Sequence, residues 1–247
     1  QIVPVSGYYN RPHGIWDRIL KSPLPIFDSV LCKVNLDKQK FYLNDTNQYA
    51  QLGTTAHEYK MGLDLENSCL TTVSYGKTCL KKKSCESTFN IYYEINIAPE
   101  GTANITKKVT SFGTYYEAKK KLYAEITPEN LKRRYQSLAS SISQSAIPVS
   151  PLNTEFEKYP GTESFTIKVP NFAVKDGKYL YFKLPGMDFL KGFIRVDGEN
   201  RVNPYWVDSR ESFNVSYSVS IPKTYIYAEK PASGINIATP GINININ

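Results

Sequence analysis

Histidine is scarce in this chain of 247 residues: there are two, His13 and His57. A His-rich zinc or copper site is excluded on that count. His57-Glu58 opens like the H-E-x-x-H helix of metalloproteases. Met61 stands where the second His must be, so a metal would lack its pair of ligands on one helical face. Glycine motifs are also missing. Ser74-Tyr75-Gly76-Lys77-Thr78 ends like a P-loop, but Thr71 holds the place of the first Gly and the anion cradle is incomplete. Neither G-x-S-x-G nor G-x-G-x-x-G occurs. The two histidines read first as surface or hydrogen-bonded residues, His13 in the aromatic and polar cluster Tyr8 to Trp16 and His57 in a loop. Asp197, Glu199 and Asn200 read first as a turn, and only second as calcium ligands. No metal and no cofactor is expected.

Long apolar runs are absent too. None approaches the ~20 residues needed to cross a membrane as a helix, and no charged segment followed by an apolar one marks a signal peptide. The sequence begins Gln1-Ile2-Val3-Pro4 without an initiator Met. It is read as a mature N-terminus after cleavage, hence a secreted, periplasmic or cell-surface protein. Three sequons, at Asn44, Asn104 and Asn214, permit that location without requiring it.

Cysteine is limited to Cys32, Cys69, Cys79 and Cys85. No C-x-x-C pair exists, which argues against structural zinc. Four cysteines allow three pairings. The expected pair of disulfides is Cys79–Cys85, closing a short loop around Lys81, Lys82 and Lys83, and Cys32–Cys69. The other reading is four buried free thiols in a cytosolic protein.

What is present is β signal. Val30 to Leu36 alternates, and Lys40 to Leu43 continues the pattern. Phe89 to Ile97 places Tyr93, Ile95 and Ile97 on one face, and Phe213 to Ile221 alternates throughout. Asp176-Gly177, between Phe172-Ala-Val174 and Tyr179-Leu-Tyr-Phe182, has the signature of a two-residue hairpin. Asp197-Gly198 marks a second turn. Helix signals are confined to the middle. Thr127-Pro128-Glu129 opens a helix carrying Leu131, Tyr135, Leu138 and Ile142, with Pro148 as its limit. Thr114 to Glu117 matches a capping box. The fold class predicted is mainly β with a short helical insertion, β-sandwich or jelly-roll-like, in one or two modules. The predicted regions are 1–147, disulfide-containing and β-rich with a basic, partly helical C-terminal part; 148–161, a linker or long loop; and 162–247, a cysteine-free β region. That last region ends in two Gly-Ile-Asn-Ile units, read as a final edge strand or, more sharply, as a strand for self-association.

Charge gives the functional expectation. Residues 77–134 carry +6 of the chain's +7. The predicted binding residues are Lys81, Lys82, Lys83, Lys107, Lys108, Lys119, Lys120, Lys121, Lys132, Arg133 and Arg134. Clustered cations attract polyanions. Trp16, Tyr205 and Trp206 add aromatic faces suited to sugar rings. The expected partner is an acidic or neutral glycan, an anionic cell surface or another surface protein, and not nucleic acid. The function expected is recognition or adhesion at a cell surface, without catalysis. The alternatives are an exported hydrolase using two of the 23 Asp and Glu residues, and a β-type pore-forming or self-assembling surface protein.

Overall fold

The computed structural model describes residues 1–9, 27–36, 39–43, 47–50, 55, 57, 60–73, 88–186, 212–225, 237–239 and 242–244. The fold is mainly β and sandwich-like, with several antiparallel sheets and a short helical insertion, as the sequence predicts. No helix among the described residues is long and apolar enough to cross a membrane. The chain forms two compact units. The first comprises Gln1–Ser87 with Phe112–Lys121, the second Thr88–Ser111 with Leu122–Asn247.

The first unit is built on a five-stranded sheet. Its strands are β1 (Ile2–Tyr9), β2 (Phe27–Leu36), β3 (Gln39–Leu43), β4 (Lys60–Asp64) and β5 (Cys69–Thr72), in the order β3-β2-β1-β4-β5. Val3, Val5, Leu31, Tyr42 and Val73 form its core. Lys33, two residues on from Leu31 and on the same face, is also buried. Its charge is met by Asp64, whose Oδ2 accepts from Lys33 Nζ at 2.9 Å. Asp64 also accepts from Gln1 Nε2, Asn67 Nδ2 and the backbone N–H groups of Glu66 and Asn67. A buried ion needs this kind of complete satisfaction.

The Lys33 hydrogen bond, followed by that of Gln1, holds the Asp64 carboxyl well below the usual carboxylate range. A depressed folded-state value means that the carboxylate stabilises the fold fully above the unfolded value, about 3.9. That stability is lost as the pH falls below it. Thermal melts of wild type and Asp64→Asn should therefore differ most above pH ~4 and converge toward pH ~2. A constant difference across that window would contradict the assignment.

The order of strands corrects the disulfide expectation. Cys32 on β2 and Cys69 on β5 are both free and exposed. Two strands, β1 and β4, lie between theirs. Three strand spacings amount to about 14 Å, whereas bridged cysteines have Cα atoms ~5.5–6 Å apart. Cys79 and Cys85 lie outside the described residues, as do His13, Asp197 and the Asp197-Gly198 turn.

The second unit is built on a six-stranded sheet. Four long strands, β6 (Thr88–Ile97), β7 (Ala103–Ser111), β10 (Gly161–Val169) and β13 (Ser212–Ser220), stand in the order β13-β6-β7-β10. Short strands β8 (Ile147–Pro148) and β9 (Asn153–Glu155) pair with β10. The segment 148–161, expected as a linker or long loop, thus edges this sheet. Pro148 is tolerated because an edge strand needs no N–H on its open side. The pairs β6–β7 and β7–β10 are antiparallel, while β13 joins β6 in parallel. Tyr93, Ile95 and Ile97 are buried together, as their alternation predicts, with Ile105, Phe165 and Ile167 opposite.

Two helices follow β7. Helix α1 (Thr114–Glu125) runs across the division between the units, and α2 (Pro128–Ser140) belongs to the second. Thr127 caps α2 by accepting from the Asn130 N–H at 3.3 Å, with Pro128 in the first turn. Ala139 of α2 is buried in the sheet's core, and Tyr135, Leu138 and Ile142 pack against it. Glu117 of α1, expected to close a capping box, is buried and accepts from Asn47 Nδ2 at 2.9 Å. Two further hairpins are β11 (Ala173–Asp176) with β12 (Tyr179–Phe182), and β14 (Ile237–Thr239) with β15 (Ile242–Ile244). The Gly-Ile-Asn-Ile tail thus pairs with itself in a two-stranded ladder.

Candidate functional site

The predicted cations do not share one environment. On β7, Lys107 is on the core side of the sheet, with Nζ 5.5 Å from the Tyr93 ring centroid, while Lys108 is exposed on the other side. On α2, Lys132 is exposed, and Arg133 reaches back one turn to Glu129 at 2.6 Å. Arg134 turns inward: its Nε donates to Tyr123 Oη at 3.0 Å and its Nη2 is 3.7 Å from Glu163 Oε2. Tyr123 in turn donates to that same Glu163 oxygen. Burial and then the Glu163 carboxylate push the Tyr123 phenol well above its usual range. Arg134 therefore serves a half-buried structural cluster. Lys119, Lys120 and Lys121 lie on the part of α1 that belongs to the first unit, with Lys120 Nζ 5.6 Å from the Tyr116 ring centroid. Lys81, Lys82, Lys83, Trp16, Tyr205 and Trp206 lie outside the described residues. His57 is half-buried, and burial, then Lys60, lowers its pKa, so it is neutral at pH 7. No group of three His, Cys, Asp or Glu among the described residues is placed to hold a metal ion.

A different set of residues comes together on the β11–β12 hairpin. Its turn is Gly177-Lys178, with positive φ at Gly177 (+57°) and not at Lys178. That is the type II′ pattern, which suits the twist of a hairpin. The inward side, with Ala173, Leu180 and Phe182, packs on the core of the six-stranded sheet. Phe172 joins it, 5.9 Å from the Phe182 ring. The outward side should then be polar, yet it carries Val174, Tyr179 and Tyr181, exposed by 61%, 46% and 56%. Val174 and Tyr181 are cross-strand partners. The two tyrosine rings are 6.0 Å apart, and Lys178 Nζ lies 5.4 Å from the Tyr179 ring. Lys175 and Asp176 are exposed on the same hairpin.

The base of this hairpin is fixed. The Ala173 N–H donates to the Gly101 carbonyl at 2.8 Å, and Tyr217 Oη donates to the Pro185 carbonyl at 2.7 Å. Beside the base runs an open groove of about 240 Å³. Pockets for drug-sized ligands usually hold roughly 300–1,000 Å³. Ser141, Ser143, Ser145, Asn171 and Lys183 supply its polar lining. Among the described residues its lining includes no carboxylate and no histidine. The groove offers hydroxyl, amide and ammonium groups for hydrogen bonding. Comparison with family models, with curated proteins and with solved structures finds no match to this chain.

The tyrosine hairpin was not among the residues predicted to bind. Both strands were visible in the sequence, but the turn falls one residue later than expected: Asp176 pairs with Tyr179, and Gly177-Lys178, not Asp176-Gly177, form the loop. Which side faces water was not visible, because Tyr179-Leu-Tyr-Phe182 is apolar at every position.

Proposed function

We propose that this is an exported or cell-surface recognition protein that binds glycans without catalysis, through the outward face of the β11–β12 hairpin and the groove at its base. The observation that carries the reading is the exposed Tyr179–Tyr181 pair on a hairpin whose other face is anchored in the core. Exposed apolar groups that gather rather than scatter mark contact surfaces. Tyrosine suits a sugar: its ring covers the C–H face while its hydroxyl stays hydrated. Lys178, beside the Tyr179 ring, and Lys183, in the groove, extend the reading to glycans with acidic substituents. An anionic surface recognised by charge alone is favoured less, because Lys107, Arg133 and Arg134 are committed inside the protein or to Glu129.

The test is binding to an array of neutral and acidic glycans, with Tyr179→Ala and Tyr181→Ala compared with wild type. Each substitution should weaken binding about tenfold, the value of one stacked aromatic contact. The melting temperature should hardly change, since both side chains are largely in water. Retention of full binding in the double variant would refute this site.

A further inference from the structure

The side of the six-stranded sheet that faces away from its core has an unusual composition. Four positions on each of β13, β6, β7 and β10 are exposed or half-exposed there, in register across the strands. Twelve of the sixteen are Ser, Thr or Asn, and the others are Tyr92, Glu94, Lys108 and Lys168. Solvent faces of antiparallel sheets are usually polar, but long charged side chains are common on them. Here the short uncharged groups dominate. They lose little rotamer freedom when held. Several already hold one another: Asn214 Nδ2 donates to Asn90 Oδ1 at 2.7 Å, and the Thr106 and Thr166 hydroxyls are 3.0 Å apart.

The charges balance. Glu94, together with Glu155 of β9 opposite Thr162, offsets Lys108 and Lys168. Near the middle of the face stands its single aromatic, Tyr92, exposed by 41% and in the row Ser216–Tyr92–Lys108–Ser164. Hydroxyl and amide groups thus recur every ~4.8 Å across the strands and every ~6.8 Å along them, around one stacking platform. A polyanion would need clustered cations, and a protein partner would need an apolar centre. This face offers neither.

We infer that this face is a second ligand site, and that it takes an extended, neutral, β-linked polysaccharide lying flat across the strands. One ring stacks on Tyr92, and its hydroxyls and those of its neighbours exchange water for the Ser, Thr and Asn array. The inference extends the glycan reading but does not depend on the tyrosine hairpin, which is a separate structure.

The experiment is a depletion measurement on microcrystalline cellulose and on chitin. The whole chain is made in a bacterial host, so that Asn104 and Asn214, both on this face and both sequon positions, stay bare. Wild type should leave solution on at least one of the two solids, and added salt should not release it. Tyr92→Ala should weaken retention about tenfold. Ser216→Glu, on an exposed position beside Tyr92, should weaken it at least as much while melting like wild type, so the test stands even if Tyr92→Ala folds poorly. In the Tyr179→Ala, Tyr181→Ala background, Ser216→Glu should still weaken retention by the same factor. Four results would overturn the inference: no depletion on either solid, retention of Ser216→Glu at wild-type level, release by salt, or a dimer that Ser216→Glu dissociates. Retention lost only in the hairpin variant would also overturn it, while leaving the hairpin as the glycan site.

Discussion

Gly101→Ala should destabilise the second unit by about 3 kcal/mol, lowering its melting temperature by roughly 10 °C. Two separate effects combine. Gly101 has φ +89°, where a side chain is strained. A Cβ there would also stand 2.2 Å from the carbonyl oxygen of Ala173. That oxygen is backbone, so it cannot rotate away, and the same turn holds the hairpin through the Ala173 N–H to Gly101 carbonyl bond. Gly177→Ala is the matched comparison. Its φ is +57°, but nothing lies within 4 Å of the added atom. It should cost only the backbone penalty of a side chain at positive φ, about 1–2 kcal/mol. Equal effects of the two substitutions in thermal or denaturant unfolding would show that contact with Ala173 is not what makes Gly101 necessary.

The second large effect is expected at Glu163. Its carboxylate faces the core side of β10 at 4% exposure, with the Tyr123 hydroxyl and the Arg134 guanidinium directed at it. Glu163→Ala would leave that hydroxyl without its acceptor and the half-buried cation without its counter-charge. Removing one partner of a buried pair usually costs about 3–5 kcal/mol; partial exposure of Arg134 places this case near the lower figure. Tyr123→Phe removes a hydrogen bond but no charge and should cost about 1 kcal/mol. Denaturant melts of the two variants check the order. A larger loss for Tyr123→Phe would mean that the hydroxyl, not the ion pair, holds β10, α1 and α2 together at this point.

The same cluster shows where the sequence could be read and where it could not. Arg134 was counted among surface cations because sequence reports charge but not direction. Glu163 lies 29 positions further along the chain, so its pairing depends on how β10 is placed beneath α2. Strand Phe89 to Ile97 was legible because one face meets apolar partners on both neighbouring strands and the other meets water. The start of α2 was legible because a cap is local chemistry, complete within Thr127 to Asn130. In the five-stranded sheet the pattern misleads. The apolar alternation of β2 points to Val30, Cys32, Val34 and Leu36, yet Leu31 and Lys33 are the buried pair, and Val30 and Leu36 are exposed. Lys33 belongs in a core only because Asp64 is there. The Cys32–Cys69 pairing failed for a similar reason, since spacing along the chain says nothing about strand order. At the tyrosine hairpin, turn chemistry gave the structure, but the anchoring to Gly101 decides which tyrosines reach solvent.

The parallel alliance of β13 with β6 has a consequence for how the protein comes to be folded. Phe213 lies opposite Phe89, so this ladder closes over more than half of the chain. Strands β6 and β7 can zip as soon as both exist, and β10 can join while 78 residues are still to follow. β6 must then wait with one edge exposed until Ser212–Ser220 arrives. Contacts of such long sequence separation form slowly, and open edges invite foreign strands. The interval before β13 docks is therefore when the chain is most exposed to misassembly. A chaperone serving this protein would have to hold that one edge.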